Sequence, residues 1–173
     1  MVIQLNLIIN EFYMDRHDIC ASLKERGSAL PNAGAPAAAS AMCAQSGNIA
    51  YLSGQLAKRN GKVSLGKLGA TLTTEDGRTS ARSVAIGLLA TLHAHLGDLK
   101  RMKRIVKMTS LVSSTPEFTD QHLVTNGALE LFADVFGESG KHVRSAFGVA
   151  QIPLGACGEI ELIVEVTSDS DRD

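Results

Sequence analysis

Residues 143–166 constrain this chain more than any other stretch. They open as Val143-Arg144-Ser145-Ala146-Phe147-Gly148-Val149, pass through a segment holding Pro153, Gly155 and Gly158, and close as Glu159-Ile160-Glu161-Leu162-Ile163-Val164-Glu165-Val166. In the closing run Ile160, Leu162, Val164 and Val166 alternate with Glu159, Glu161, Ile163 and Glu165, the period of two that marks a strand with one apolar face. The opposite face is largely acidic and needs water, a cation or a partner. Two strand-forming runs around a proline and glycines predict an antiparallel hairpin that turns near residues 153–158. A turn near Gly155 would pair Gln151 with Glu159 and set Arg144 beside Val166.

Upstream, Ile19, Cys20 and Leu23 recur at helical spacing, and Gly27 follows, so a short helix is expected over residues 15–26. Residues 30–39, with Pro31 and Pro36, read as an extended connector. Residues 41–44 and 49–53 read as two strands joined by a turn at Gln45-Ser46-Gly47-Asn48, and Asn60-Gly61 marks another turn. From Thr74 to Leu96 the stripe Ala81, Val84, Ala85, Leu88, Leu92 and Leu96 predicts an amphipathic helix, with Thr73 as N-cap and Gly97 at its end. Residues 104–112 read as a strand. A second long helix over residues 120–136 would bury Ala128, Leu131, Phe132, Val135 and Phe136 and stop at Gly137. Helices interleaved with strands imply an α+β domain, with the helices on one face of a mixed sheet.

At 173 residues the chain is expected to form one domain with a core of its own. A net charge of −1 gives no global attraction to nucleic acid or anionic membrane. The basic cluster Lys100, Arg101, Lys103, Arg104 and Lys107 lacks interleaved aromatic residues and reads as a solvated helix-to-strand junction. Cys20, Cys43 and Cys157 are three in number and unevenly spaced, as expected of reduced thiols in a cytoplasmic protein. No metal-ligand spacing is present, and His93 and His95 fall on different helix faces. Residues 1–13 are interrupted by Gln4, Asn6, Asn10 and Glu11, so neither a signal peptide nor a membrane span is expected there.

The dipeptide Arg144-Ser145, then Val149, Pro153 and Glu159-Ile160-Glu161, resembles the C-terminal signature of the RidA (YjgF-type) reactive-intermediate deaminases. Ser53-Gly54-Gln55 is similar to that family's other familiar stretch, and the likeness spans about residues 30–166. It implies a chorismate-mutase-like fold with two main helices on one face of a mixed sheet, assembled as a homotrimer with sites between subunits. The corresponding division is an N-terminal extension with a short helix over 1–29, the RidA-like domain over 30–167 and a polar tail over 168–173. It also implies hydrolytic deamination of 2-enamines or 2-imino acids to 2-keto acids, without metal or organic cofactor. The alternatives are a non-catalytic ligand-binding trimer and an RNA-binding or ribonuclease-like protein.

Arg144 matches the family's substrate-binding arginine. The residue type suits the task, because a rigid guanidinium fork grips a carboxylate through two charge-assisted hydrogen bonds. The residues alone also allow a structural ion pair with a nearby glutamate. Glu159 matches the carboxylate that orients or activates the attacking water, and Asn126 an asparagine at the same place. Ser53 and Gly54 correspond to a strand end bounding the pocket, where glycine permits close approach. Two departures widen that pocket: Ser40 stands where many relatives carry tyrosine, and Ala146 where many carry cysteine or another polar residue.

Overall fold

The computed structural model describes residues 19–25, 29–33 and 40–167. A five-stranded mixed sheet forms in the order β1-β2-β7-β5-β6. Its strands are β1 (Cys43–Ser46), β2 (Ile49–Leu56), β5 (Met102–Ser113), β6 (Val143–Val149) and β7 (Gly158–Val166), and a small ribbon of β3 (Lys58–Arg59) and β4 (Lys62–Val63) stands apart. β5 and β6 run parallel, while the other pairs in the sheet are antiparallel. Helices α2 (Thr74–Leu96) and α3 (Gln121–Phe136) cover one face, and the short α1 (Ile19–Glu25) adds the buried side chains of Ile19 and Leu23 to the core. The α+β class with two main helices is as expected.

The terminal hairpin is not. β7 lies between β2 and β5, so β6 and β7 are not neighbours. The reason is burial: Ile160, Leu162, Val164 and Val166 are at most 2% exposed, and a strand so covered forms ladders on both sides. Residues 150–157 carry the chain across the end of β5. They are held by Ile152 and Ala156 in the interior and by Cys157 N–H donating to Ser64 O at 2.8 Å. Arg144 is therefore level with Met108, and Met108 with Leu162, in place of the expected pairing of Arg144 near Val166.

Local chemistry accounts for the remaining boundaries. The β1–β2 turn tightens to Gly47-Asn48, two residues later than a strand over 41–44 would place it, because Gly47 takes φ +58° without steric cost. Thr73 caps α2 as expected: Asp76 N–H donates to its hydroxyl at 3.2 Å, and Thr73 N–H donates back to the Asp76 carboxylate at 3.0 Å. The helix over residues 15–26 is seen as α1 over Ile19–Glu25, and residues 15–18 and 26 lie outside the described residues.

Gly127 sets how closely α2 and α3 pack. A Cβ there would lie 2.0 Å from the backbone carbonyl oxygen of Arg78, and backbone cannot step aside as a flexible side chain can. Gly127→Ala is expected to destabilise the fold by about 1–3 kcal/mol through overpacking, measurable as a fall in the urea midpoint. An unchanged midpoint would show that the helices slide apart at no cost.

Candidate functional site

Strand register assigns each candidate side chain to a face. Met108 and Leu162 are buried beneath the helices, and Arg144 is in line with them across the sheet. Its side chain thus rises on the helix-covered face, at the edge strand β6. There Arg144 Nη1 donates to Asn126 Oδ1 at 2.7 Å and to the carbonyl of His122 at 3.3 Å, both on α3. No carboxylate among the described residues pairs with it, so the glutamate ion pair that the residues alone allowed is not formed. Two neutral acceptors engage one nitrogen and leave the rest of the fork available.

The same face of β6 continues through Ala146, level with the buried Ser110, to Gly148. A Cβ at Gly148 would stand 2.7 Å from both Gln121 Nε2 and Ser114 Oγ. Behind Ala146, Thr125 Oγ1 donates to the carbonyl of Gln121 at 2.8 Å and lies 3.1 Å from Ser110 Oγ. Small residues on the strand and hydroxyl and amide groups on α3 thus continue the run that begins at Arg144.

Glu159 stands on the opposite, helix-free face. Its direct cross-strand neighbours are Leu56 on β2 and Leu111 on β5. Its carboxylate lies over Gly54, where an added Cβ would come within 2.0 Å of Oε1. A β-bulge between Leu52 and Gln55 creates this approach. Ser53, exposed in the same bulge, donates its N–H to Met42 O at 3.0 Å. Among the described residues Glu159 has no hydrogen-bond or ion-pair partner. Partial burial raises its pKa above the ordinary glutamate range, and the charge of Glu161 adds to the rise.

Two pairs are therefore assembled, Arg144 with Asn126 and Glu159 with Gly54, but they do not meet within one chain. Arg144 is level with Leu162, whereas Glu159 is level with Phe147. That difference is three residues along the strands and two strands across, roughly 14 Å between backbones at the usual sheet spacings, with the side chains on opposite faces. Ser40 is exposed just ahead of β1. The leucine frame around Glu159 was not visible in the sequence, since it depends on which strands flank β7. Nor was the apolar lining of the helix-free face, where Tyr51, Val143 and Phe147 are about half or more exposed. Among the described residues no group of three His, Cys, Asp or Glu side chains is placed to hold a metal ion.

The raised pKa has a consequence for stability. A carboxyl group whose folded pKa lies above its unfolded value favours the fold fully while both states are protonated, and that contribution is lost as pH rises through the folded pKa. Glu159→Gln, which stays neutral, is expected to be more stable than wild type at pH 7, with the advantage vanishing below the unfolded value of about 4.3. Urea titrations at both pH values measure it. Equal stabilities at pH 7 would mean that burial imposes no cost on the charge.

Comparison with known proteins gives the same architecture. Protein TCP17 of Trypanosoma cruzi is 43% identical over 152 residues, covering 87% of this chain and 95% of that protein. The crystal structure of Atu1372 from Agrobacterium tumefaciens, a protein of unknown function, is 40% identical with a TM-score of 0.81, covering 88% of this chain and 95% of that one. A "putative endoribonuclease" from Shewanella oneidensis MR-1 is 25% identical with a TM-score of 0.83, covering 87% and 100%. Residues 19–166 match the family described as "YjgF/chorismate_mutase-like, putative endoribonuclease". That span runs from α1 through β7 and contains both assembled pairs, Arg144 with Asn126 and Glu159 with Gly54, so the chain belongs to the YjgF (RidA-type) family.

Proposed function

We propose that this protein hydrolyses reactive 2-imino acids and their 2-enamine tautomers to 2-keto acids, with release of ammonia, in a homotrimer whose sites lie between subunits. The observation that carries the reading is the state of Arg144: a half-buried guanidinium, steadied by Asn126 and the His122 carbonyl, without a carboxylate of its own. A substrate carboxylate is the ligand that such a fork fits. Glu159 supplies the second function. Its apolar flanks raise its proton affinity, which suits a group that takes a proton from water and returns it to nitrogen.

The chemistry needs little more. Water adds to the carbon of the protonated imine as Glu159 accepts one of its protons, giving a neutral carbinolamine. Glu159 returns that proton to the nitrogen, the carbon–nitrogen bond breaks, and the hydroxyl proton passes to Glu159 as the keto group forms and ammonia leaves. Since Arg144 and Glu159 occupy opposite faces of one sheet, each site draws them from neighbouring chains. The helix-free face, with Tyr51, Val143 and Phe147 exposed on it, is the surface a neighbouring chain would cover. Ala146 leaves room on the strand beside Arg144, which suits substrates larger than the smallest imino acids, while Gln121 and Ser114 close over Gly148.

We place the protein in the cytoplasm, where its free thiols Cys43 and Cys157 would remain reduced. None of the described helices is long and apolar enough to cross a membrane. The RNA reading, which the name of the Shewanella relative favours, has weaker support in the basic cluster. There Arg104 pairs with Glu165 at 2.7 Å and Arg101 donates to the carbonyl of Leu96 at 3.0 Å. Ammonia release from freshly generated imino acids tests the proposal: acceleration over buffer is expected. No acceleration, together with salt-dependent RNA binding, would replace it with the RNA reading.

A further inference from the structure

The bulge in β2 rests on an arrangement that its strand pattern alone would not produce. Leu52 and Gln55 both point toward the helices, aligned with the buried Leu162 and Ile160 of β7. Ser53 and Gly54 between them oppose Glu161 together. A glutamine turned inward must satisfy its amide there. Gln55 does so by donating from Nε2 to the hydroxyl of Thr91 on α2 at 2.6 Å, and Thr91 is itself only 4% exposed. Room for the side chain comes from Gly87, one helical turn earlier, where a Cβ would lie 2.8 Å from Gln55 Oε1.

Without the inward turn the strand would return to simple alternation. Counting from the Leu52–Leu162 pair, Ser53 would then oppose Glu161, Gly54 would oppose Ile160, and Gln55 would stand directly opposite Glu159. That exchanges an apolar neighbour, Leu56, for a hydrogen-bond donor. It also removes Gly54 from beneath the carboxylate.

We propose that Gln55 is a positioning residue, whose bond to Thr91 in the gap left by Gly87 holds the bulge that sets Gly54 and Leu56, and not Gln55, beside Glu159. The inference rests on the catalytic reading of Glu159 for its purpose, but its test does not require activity. The environment of Glu159 then depends on residues on the far side of the sheet that never touch it. An amide donor opposite the carboxylate would favour its charged form, whereas the leucine–glycine frame favours the neutral one.

The experiment is a carbon-13 NMR titration of the Glu159 carboxyl in the full chain, in wild type, Thr91→Val and Gly87→Ala. Both variants are expected to shift the Glu159 midpoint down toward that of an ordinary glutamate, and to exchange the Leu56–Glu159 cross-strand NOE for one between Gln55 and Glu159. Folded variants with the wild-type midpoint and the Leu56–Glu159 NOE would overturn the proposal. Should either variant fail to fold, the wild-type protein decides. A Gln55 side-chain amide protected from solvent exchange and close to Thr91 is required, and a freely exchanging amide contradicts the lock. Because these readouts need no turnover, an absence of ammonia release would count against the deaminase reading and leave the positioning inference standing.

Discussion

Arg144→Lys is expected to lower kcat/KM for a 2-imino acid by about a hundredfold, although the positive charge is retained. Lysine presents one compact ammonium where arginine presents a planar fork, so at least one of two charge-assisted hydrogen bonds to the substrate carboxylate is lost. Such bonds contribute about 1.5–3 kcal/mol each, and each 1.36 kcal/mol is about tenfold in rate. The substitution also frees Asn126, whose Oδ1 now accepts from Arg144 Nη1 at 2.7 Å. Stability should change little, because the bonds Arg144 makes are to neutral acceptors at the half-exposed edge strand. A lysine variant with wild-type kinetics and unchanged affinity for a 2-keto acid would make Arg144 a structural residue and remove the main support for carboxylate recognition.

The second large effect comes from mixing chains. Arg144→Ala and Glu159→Ala should each be inactive alone, yet equal amounts refolded together should recover about a quarter of the wild-type sites. At a head-to-tail interface, one ordered neighbour pairing in four brings an intact Arg144 from one chain to an intact Glu159 from the next. The expectation follows from the sheet itself, which places the two side chains on opposite faces. Sedimentation should give three 18.3 kDa chains per particle. Mixed trimers confirmed by mass but lacking activity would mean that both residues act from the same chain, and an alanine variant active on its own would remove that residue from the reaction.

What the sequence disclosed and what it withheld have separate physical origins. Alternation in residues 159–166 shows which side chains share a face, because the strand period is two, and the apolar face is the one buried beneath the helices. Alternation says nothing about neighbours. The choice between pairing β7 with β6 and inserting it between β2 and β5 depends on what the whole sheet buries. A hairpin pairing Gln151 with Glu159 would set Arg144 roughly 23 Å from Glu159, seven residues away at the strand rise, whereas the observed topology gives less distance but opposite faces. Helix α2 was legible almost to its ends, since Thr73 and Asp76 at its start and Gly97 at its end carry capping chemistry. The leucine frame of Glu159 was hidden by contrast. It joins Leu56, Leu111 and Glu159 from three strands, and Leu56 takes its place there only where Gln55, polar and on a strand, turns inward to Thr91.

A crystal structure of the protein with a bound 2-keto acid, the product of the proposed reaction, tests the shared site directly. Expected are a carboxylate gripped by the fork of Arg144 beside Asn126 on one subunit, and a keto carbon within reach of a water held by Glu159 of the neighbouring subunit. A keto acid bound away from Arg144, or contacting Arg144 with no Glu159 of any chain nearby, would contradict it.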